Sequence, residues 1–142
     1  MKVVMRRLAV LLVPAAALTA APAAHAATTT VHFSVQLAAA VPVAGCDVSV
    51  PEGSNGIAVL DAAVASQCIS SYQKVDTQFG PKVTCINDVC EAPDATLNVV
   101  YWAIYVDSGY AQVGAGSLAF PADGSSLRFS YETWVTGLVP QP

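Results

Sequence analysis

An α+β fold, with one helix packed across a mixed β-sheet, is what the order of elements in this 142-residue chain predicts. Three observations carry that expectation. Residues 98–109, Asn-Val-Val-Tyr-Trp-Ala-Ile-Tyr-Val-Asp-Ser-Gly, form the longest run of β-branched and aromatic residues. Val99, Tyr101, Ala103 and Tyr105 fall on one face of an extended strand, and Val100, Trp102, Ile104 and Val106 on the other. Both faces are apolar, so this strand belongs in the middle of a sheet. Second, one stretch changes to helical spacing: Ile57, Leu60, Val64 and Cys68 recur at three and four. Third, two strands precede that helix and several follow it.

The first 26 residues are set apart from the fold. Lys2, Arg6 and Arg7 precede an apolar run over residues 8–18, and Ala24-His25-Ala26 offers small residues at the positions a signal peptidase reads. Cleavage is expected after Ala26. A membrane anchor needs roughly 18 apolar residues in a row, and Pro14, Thr19 and Pro22 interrupt this run. The mature chain, residues 27–142, then suits one domain with one core.

In order, residues 28–37 alternate: Val31, Phe33, Val35 and Leu37 on one side, Thr30, His32, Ser34 and Gln36 on the other. That is a strand with one wet face, and His32 belongs to it. Residues 38–45 are a small-residue connection containing Pro42 and Gly45, and residues 46–50 resume as a short strand closing a hairpin. Pro51-Glu52-Gly53-Ser54-Asn55 ends it and offers Ser54 or Asn55 as helix N-cap. The helix follows over about three turns to Cys68. Residues 72–79 are a mixed segment leading to Gly80-Pro81, and residues 82–86 with Val89 make a further hairpin. Residues 91–96 form a polar connection before the central strand, which stops at the turn tripeptide Asp107-Ser108-Gly109. Residues 110–119 carry Gly114 and Gly116, a loop whose backbone can approach another segment closely. Asp123-Gly124-Ser125 turns into a last strand, and residues 137–142 are a short tail without a hydrophobic anchor. A β-grasp arrangement fits this order best.

Four cysteines in an exported chain read as two disulfides. Cys85 and Cys90 flank the turn pair Asn87-Asp88, which suits a bridge clipping a tight hairpin. Cys46 and Cys68 then pair. A strand of five residues runs roughly 17 Å and a helix of twelve returns roughly 18 Å, which brings Cys68 back beside Cys46. A zinc site is the alternative, but the spacing Cys-x4-Cys with two distant single cysteines and no neighbouring histidine matches structural zinc poorly; no metal site is expected.

Charge narrows the function. Of the basic residues only Lys74, Lys82 and Arg128 remain after Ala26, against ten acids, a formal net charge of −7. Such a surface repels nucleic acid and anionic lipid. No Walker-type loop or dinucleotide glycine fingerprint occurs. His32 is the one histidine of the mature chain, which removes most nucleophile and metal chemistries. Glu91, Asp94 and Asp88 lack the spacing of a calcium loop. Asp107-Ser108-Gly109 is similar to the catalytic tripeptide of aspartic proteases, which needs a second carboxylate to share a proton. One copy could act only in a homodimer, and the same tripeptide is an ordinary hairpin turn.

Several segments together resemble one family. Val-Ser-Val-Pro-Glu-Gly-Ser and Val-Leu-Asp-Ala-Ala within residues 48–63, Val-Tyr-Trp-Ala-Ile-Tyr-Val-Asp at 100–107, and Asp-Gly-Ser-Ser-Leu-Arg-Phe-Ser-Tyr-Glu-Thr-Trp at 123–134 resemble the C-terminal β-domain of transcobalamin and intrinsic factor, and related small secreted bacterial domains. The likeness covers residues 46–134. It implies a β-grasp-like fold, an extracellular location and no catalysis. In those carriers the domain closes over cobalamin held against a helical barrel, with the Trp-bearing strand and its following turn in contact. That implies Tyr101, Trp102, Ile104, Tyr110 and Gln112 as contacts for cobalamin or another corrinoid. The sequence differs in an insertion at Asn55-Gly56-Ile57-Ala58 and in having no barrel segment. The expected function is a secreted, non-enzymatic ligand-binding module; the alternative is an extracellular adhesive domain that contacts a protein or cell-wall partner through its acidic surface and a sheet edge.

Overall fold

The computed structural model describes residues 27–37, 44–93, 99–120 and 123–134. The expected signal segment at residues 1–26, the connection around Pro42, Asp94 and residues 135–142 lie outside the described residues. The central strand is β7, Val99–Val106, and it pairs antiparallel along its whole length with the final strand β9, Ser125–Trp134. On the other side of β9 the first strand β1, Thr28–Gln36, runs parallel to it, with Ser34 opposite Arg128. A hairpin then joins β1 to β2, Ala44–Pro51. The sheet order is therefore β2-β1-β9-β7, with β6, Ala92–Pro93, and β8, Gly109–Tyr110, along the outer edge of β7.

The sequence expectation of a single sheet is corrected. The segment after the helix is β3, Tyr72–Thr77, and with β4, Gly80–Ile86, and β5, Val89–Cys90, it forms a separate three-stranded sheet. The reason is visible in the chain: Asn87 and Asp88, both at positive φ, reverse it so tightly that β5 returns onto β4. What remains is mixed sheets with one helix among the described residues.

That helix, α1, is Gly56–Ala65. Asn55 caps it as expected, its Oδ1 accepting from the amides of Ile57 at 3.1 Å and Ala58 at 3.0 Å. It stops short of Cys68, another correction. Ser66 and Gln67 leave the helix, Gln67 at φ 60°, and the amide of Cys68 bonds back to the Ala63 carbonyl at 2.9 Å. The signal for such a stop is ordinarily glycine, and here glutamine occupies the position. The loop after β8 meets Pro81: a Cβ on Gly116 would lie 2.7 Å from the Pro81 ring. Likewise a Cβ on Gly56 would lie 2.8 Å from the Ala115 carbonyl, so α1 docks against that loop only with glycine there.

Both disulfides are as expected, Cys46–Cys68 and Cys85–Cys90. Together they fasten the two bodies that cover one face of the large sheet. Cys46–Cys68 ties the end of the helix to β2. Cys85–Cys90 clips the small sheet, whose Val89 carbonyl accepts the indole N–H of Trp102 at 3.2 Å and whose Cys90 carbonyl accepts the Tyr131 hydroxyl at 2.7 Å. Under these covers lies one core: Val31, Phe33, Val35, Val48 and Val50 from the hairpin, Leu127 and Phe129 from β9, Trp102 from β7, and Ile57, Val59, Leu60 and Ala63 from the helix.

Candidate functional site

Strand alternation that sends Phe33, Leu127, Phe129 and Trp102 under the helix and the small sheet sends their neighbours to the opposite, outer face. The register then sorts that face into rungs. One rung crosses the sheet through Gly45, Ser34, Arg128 and Tyr105; the next through Asp47, His32 and Ser126, whose carbonyl accepts from the Asp107 amide at 3.2 Å just past the end of β7. Further along β7 and β9 come Glu132 beside Tyr101, and then Trp134.

The carboxylates Asp47, Asp107 and Glu132 and the His32 ring each have a hydrogen-bond partner, and Arg128 lies against an aromatic ring. Asp47 Oδ1 sits 2.8 Å from His32 Nδ1. Asp107 Oδ1 accepts from the Ser126 amide at 2.7 Å and hydroxyl at 3.4 Å, with Asp107 and Ser108 both in the left-handed region. Asp107 is therefore a hairpin-turn residue that fastens β7 to β9, the ordinary reading of Asp-Ser-Gly. Glu132 accepts the Tyr105 hydroxyl at 3.0 Å and 3.2 Å. Arg128 lies with its guanidinium carbon 4.4 Å over the Tyr105 ring. Burial, and then the bond to Glu132, push the Tyr105 phenol up to about 12, against a smaller opposite pull from Arg128. Burial, followed by a hydrogen bond with Tyr110, moves Tyr101 in the same direction.

The aromatic rings of the outer face form a row. Tyr101 meets Trp134 edge-on at 6.0 Å between centroids, and Tyr105 meets Tyr110 edge-on at 5.7 Å. Beside Tyr105 a cavity of about 210 Å³ opens between the two rungs, lined by His32, Ser34, Tyr105, Ser108, Ser126 and Arg128. His32 shows 60% of its side chain to solvent, and no serine hydroxyl is bonded to its Nε2 among the described residues.

The five residues singled out by the family resemblance do not converge. Tyr101 and Tyr110 come together on the outer face. Trp102 points to the opposite face, is 4% exposed, stacks on Tyr131 at 5.0 Å and has its N–H engaged by Val89. Its place in the core is set by strand parity: a ligand lying on Tyr101 cannot touch it. Ile104 shares that inner face, half-buried against the core. Gln112 is exposed in the loop beyond β8. Trp134, Arg128 and His32 were not singled out as ligand contacts, and only the register that lines β1, β9 and β7 up could have joined them to Tyr101 and Tyr110.

No family model matches the chain, and no curated protein matches it. Among the solved structures that share its fold are two with long matches. One is haptocorrin in complex with Cbi, with a TM-score of 0.67 and 21% sequence identity; the match covers 78% of this chain and 26% of that one. The other is a Ruminococcus gnavus protein provisionally named a metal-binding protein, with a TM-score of 0.52 and 10% identity; the match covers 75% of this chain and 99% of that one. This chain thus spans about a quarter of haptocorrin. Among the described residues no group of three or more His, Cys, Asp or Glu side chains is placed to hold a metal.

Proposed function

We propose that the chain is a secreted, non-enzymatic ligand-binding module whose outer sheet face, at Tyr101, Tyr110 and Trp134, forms one wall of a site for a corrinoid or another flat, largely apolar ligand. The observation that supports this most is the fold shared with part of a haptocorrin whose structure was solved with Cbi. The parallel β1–β9 pair flanked by antiparallel β2 and β7 favours a β-grasp-like description of that fold. The cavity argues for a wall rather than an enclosure: about 210 Å³ lies below the roughly 300–1,000 Å³ of pockets that engulf ligands of ordinary drug size. A second body would complete the site. Two disulfides, and no helix among the described residues long and apolar enough to cross a membrane, are consistent with an extracellular protein.

Two tryptophans on opposite faces make the test internal. Trp134 is 41% exposed beside Tyr101, while Trp102 is buried. A corrinoid titrated into the mature protein is expected to quench the Trp134 component and perturb the corrin spectrum, and Trp134→Phe is expected to abolish the fluorescence response. Unchanged spectra at high micromolar corrinoid would remove the reading; quenching that persists in Trp134→Phe would move the ligand off this face.

A second reading has its own observation. Phe79, at the turn between β3 and β4, is 78% exposed and Val75 is 50% exposed, on a sheet in which β3 is an edge strand among the described residues. An apolar tip of this kind suits contact with an extracellular protein. Capture of the same partner from culture fluid by the wild type and by Trp134→Phe, but not by Phe79→Ser, favours adhesion.

A further inference from the structure

We propose that the cavity lined by His32, Ser34, Tyr105, Ser108, Ser126 and Arg128 is a binding site for one oxyanion, a phosphate or carboxylate group. The inference stands apart from the corrinoid reading and survives its failure.

Arg128 stands between β1 and β7, facing Ser34 on one side and Tyr105 on the other. Three carboxylates face it from neighbouring positions, and each is engaged elsewhere: Glu132 by Tyr105, Asp107 by Ser126 and Asp47 by His32. No carboxylate lies within ion-pair distance of the guanidinium among the described residues. Its Nε is buried without a hydrogen-bond partner. A partly buried cation with an unanswered donor is costly, and an oxyanion is the group that relieves it.

The surroundings select what can enter. The Tyr105 ring holds the guanidinium plane, so little side-chain freedom is lost when an anion arrives. Ser34 and Ser126 flank Arg128 on the same face and Ser108 closes the turn end; Ser34 and Ser108 offer hydroxyl donors, and Ser126 can turn its own away from the long 3.4 Å bond to Asp107. On the β2 side the rung is closed in: a Cβ on Gly45 would lie 3.2 Å from the Ser34 Cβ and 3.6 Å from His32 Nε2. A cavity of about 210 Å³ has room for one oxyanion and its residual hydration. The mature chain is strongly acidic, so it repels anions at long range; capture here depends on local donors.

The test uses inorganic phosphate and, separately, acetate, titrated into the isotope-labelled mature protein at constant ionic strength made up with chloride. Saturable shifts are expected at the Arg128 Nε–H and at the amides of Ser34 and Ser126. Saturation by phosphate alone, by acetate alone or by both assigns the anion class, and each supports the site. Arg128→Gln is expected to weaken binding on the order of tenfold, and Ser126→Ala a few-fold without a change in melting temperature, since its amide still bonds to Asp107. Shifts that grow linearly and are reproduced by chloride would overturn the proposal. So would saturable binding unaltered in folded Arg128→Gln. If that variant does not fold, unaltered binding in Ser126→Ala has the same force.

Discussion

The two faces of the large sheet are built from the same strands, often from adjacent residues, and they hold the fold by different means. On the inner face Phe33, Leu127 and Phe129 have no solvent exposure and meet the helix and the small sheet. On the outer face Ser34, Arg128 and Ser130 adjoin those same residues in sequence, and Tyr105 is 2% exposed with no helix above it among the described residues. Burial there comes from side chains lying across one another: guanidinium on ring, ring on ring, hydroxyl on carboxylate. A face packed by apolar interdigitation has one arrangement and tolerates little. A face packed by polar partners can exchange one of them for a ligand, which is why the candidate site belongs to the outer face.

The sharpest way to break this comparison is to mutate neighbours on β9. Phe129→Ala is expected to cost about 3–5 kcal/mol, the range for emptying a buried aromatic site. Arg128→Gln, one residue away, is expected to cost about 1 kcal/mol or less, the worth of a cation–π contact. Denaturant titrations of the two variants check it, and equal losses would mean that the outer face is as much a core as the inner one.

Next in size is the fastening of the helix that makes the inner face an interior. Cys46 and Cys68 are 22 positions apart, and replacing both with serine is expected to lower stability by about 3 kcal/mol, the loop-closure value for that length. The comparison is sharpened if the outer-face rings keep their near-ultraviolet circular dichroism in the variant at temperatures where it remains folded. A smaller loss, about 1 kcal/mol, is expected from Asn55→Ala, which removes the acceptor for two amides at the start of the same helix. It is read as a shift in denaturation midpoint at unchanged slope.

The inner face was legible in the sequence because it is written in periods. Val31, Phe33 and Val35 alternate, Ile57, Leu60 and Val64 recur at helical spacing, and Asn87-Asp88 between cysteines is a local turn. Cys85–Cys90 followed from that turn, and Cys46–Cys68 as the remaining pair, supported by the matched lengths of strand and helix. The end of α1 was not legible, because Gln67 occupies a backbone conformation that usually advertises itself as glycine. Nor was the small sheet: the strand Tyr72–Thr77 has hardly a buried residue, so no apolar alternation marked it. The outer-face site was the least legible part. Arg128 meets Ser34 and Tyr105 only through the parallel β1–β9 pairing, a relation between chain ends that no local pattern contains. Parity likewise separates Trp102 from Tyr101, adjacent in sequence and on opposite faces in the fold.

The smallest effect, absent at neutral pH, belongs to the tyrosines. Tyr105 titrates at about 12 in the folded protein, raised first by burial and then by its bond to Glu132, against about 10 in an unfolded chain. The folded state therefore holds this proton more tightly. The stability it contributes is complete below pH 10 and is lost as pH climbs toward 12. Tyr101 and Tyr72 move in the same direction, the latter by burial and then by its 2.6 Å bond to Asp61. Stability is thus expected to fall with alkaline pH while tyrosinate absorbance lags behind that of a denatured control. In Tyr105→Phe the fall should be shallower, since one of the three linked protons is gone. An unchanged slope would mean that Tyr105 ionises as readily folded as unfolded, and the outer face would then be wet around its central ring rather than packed.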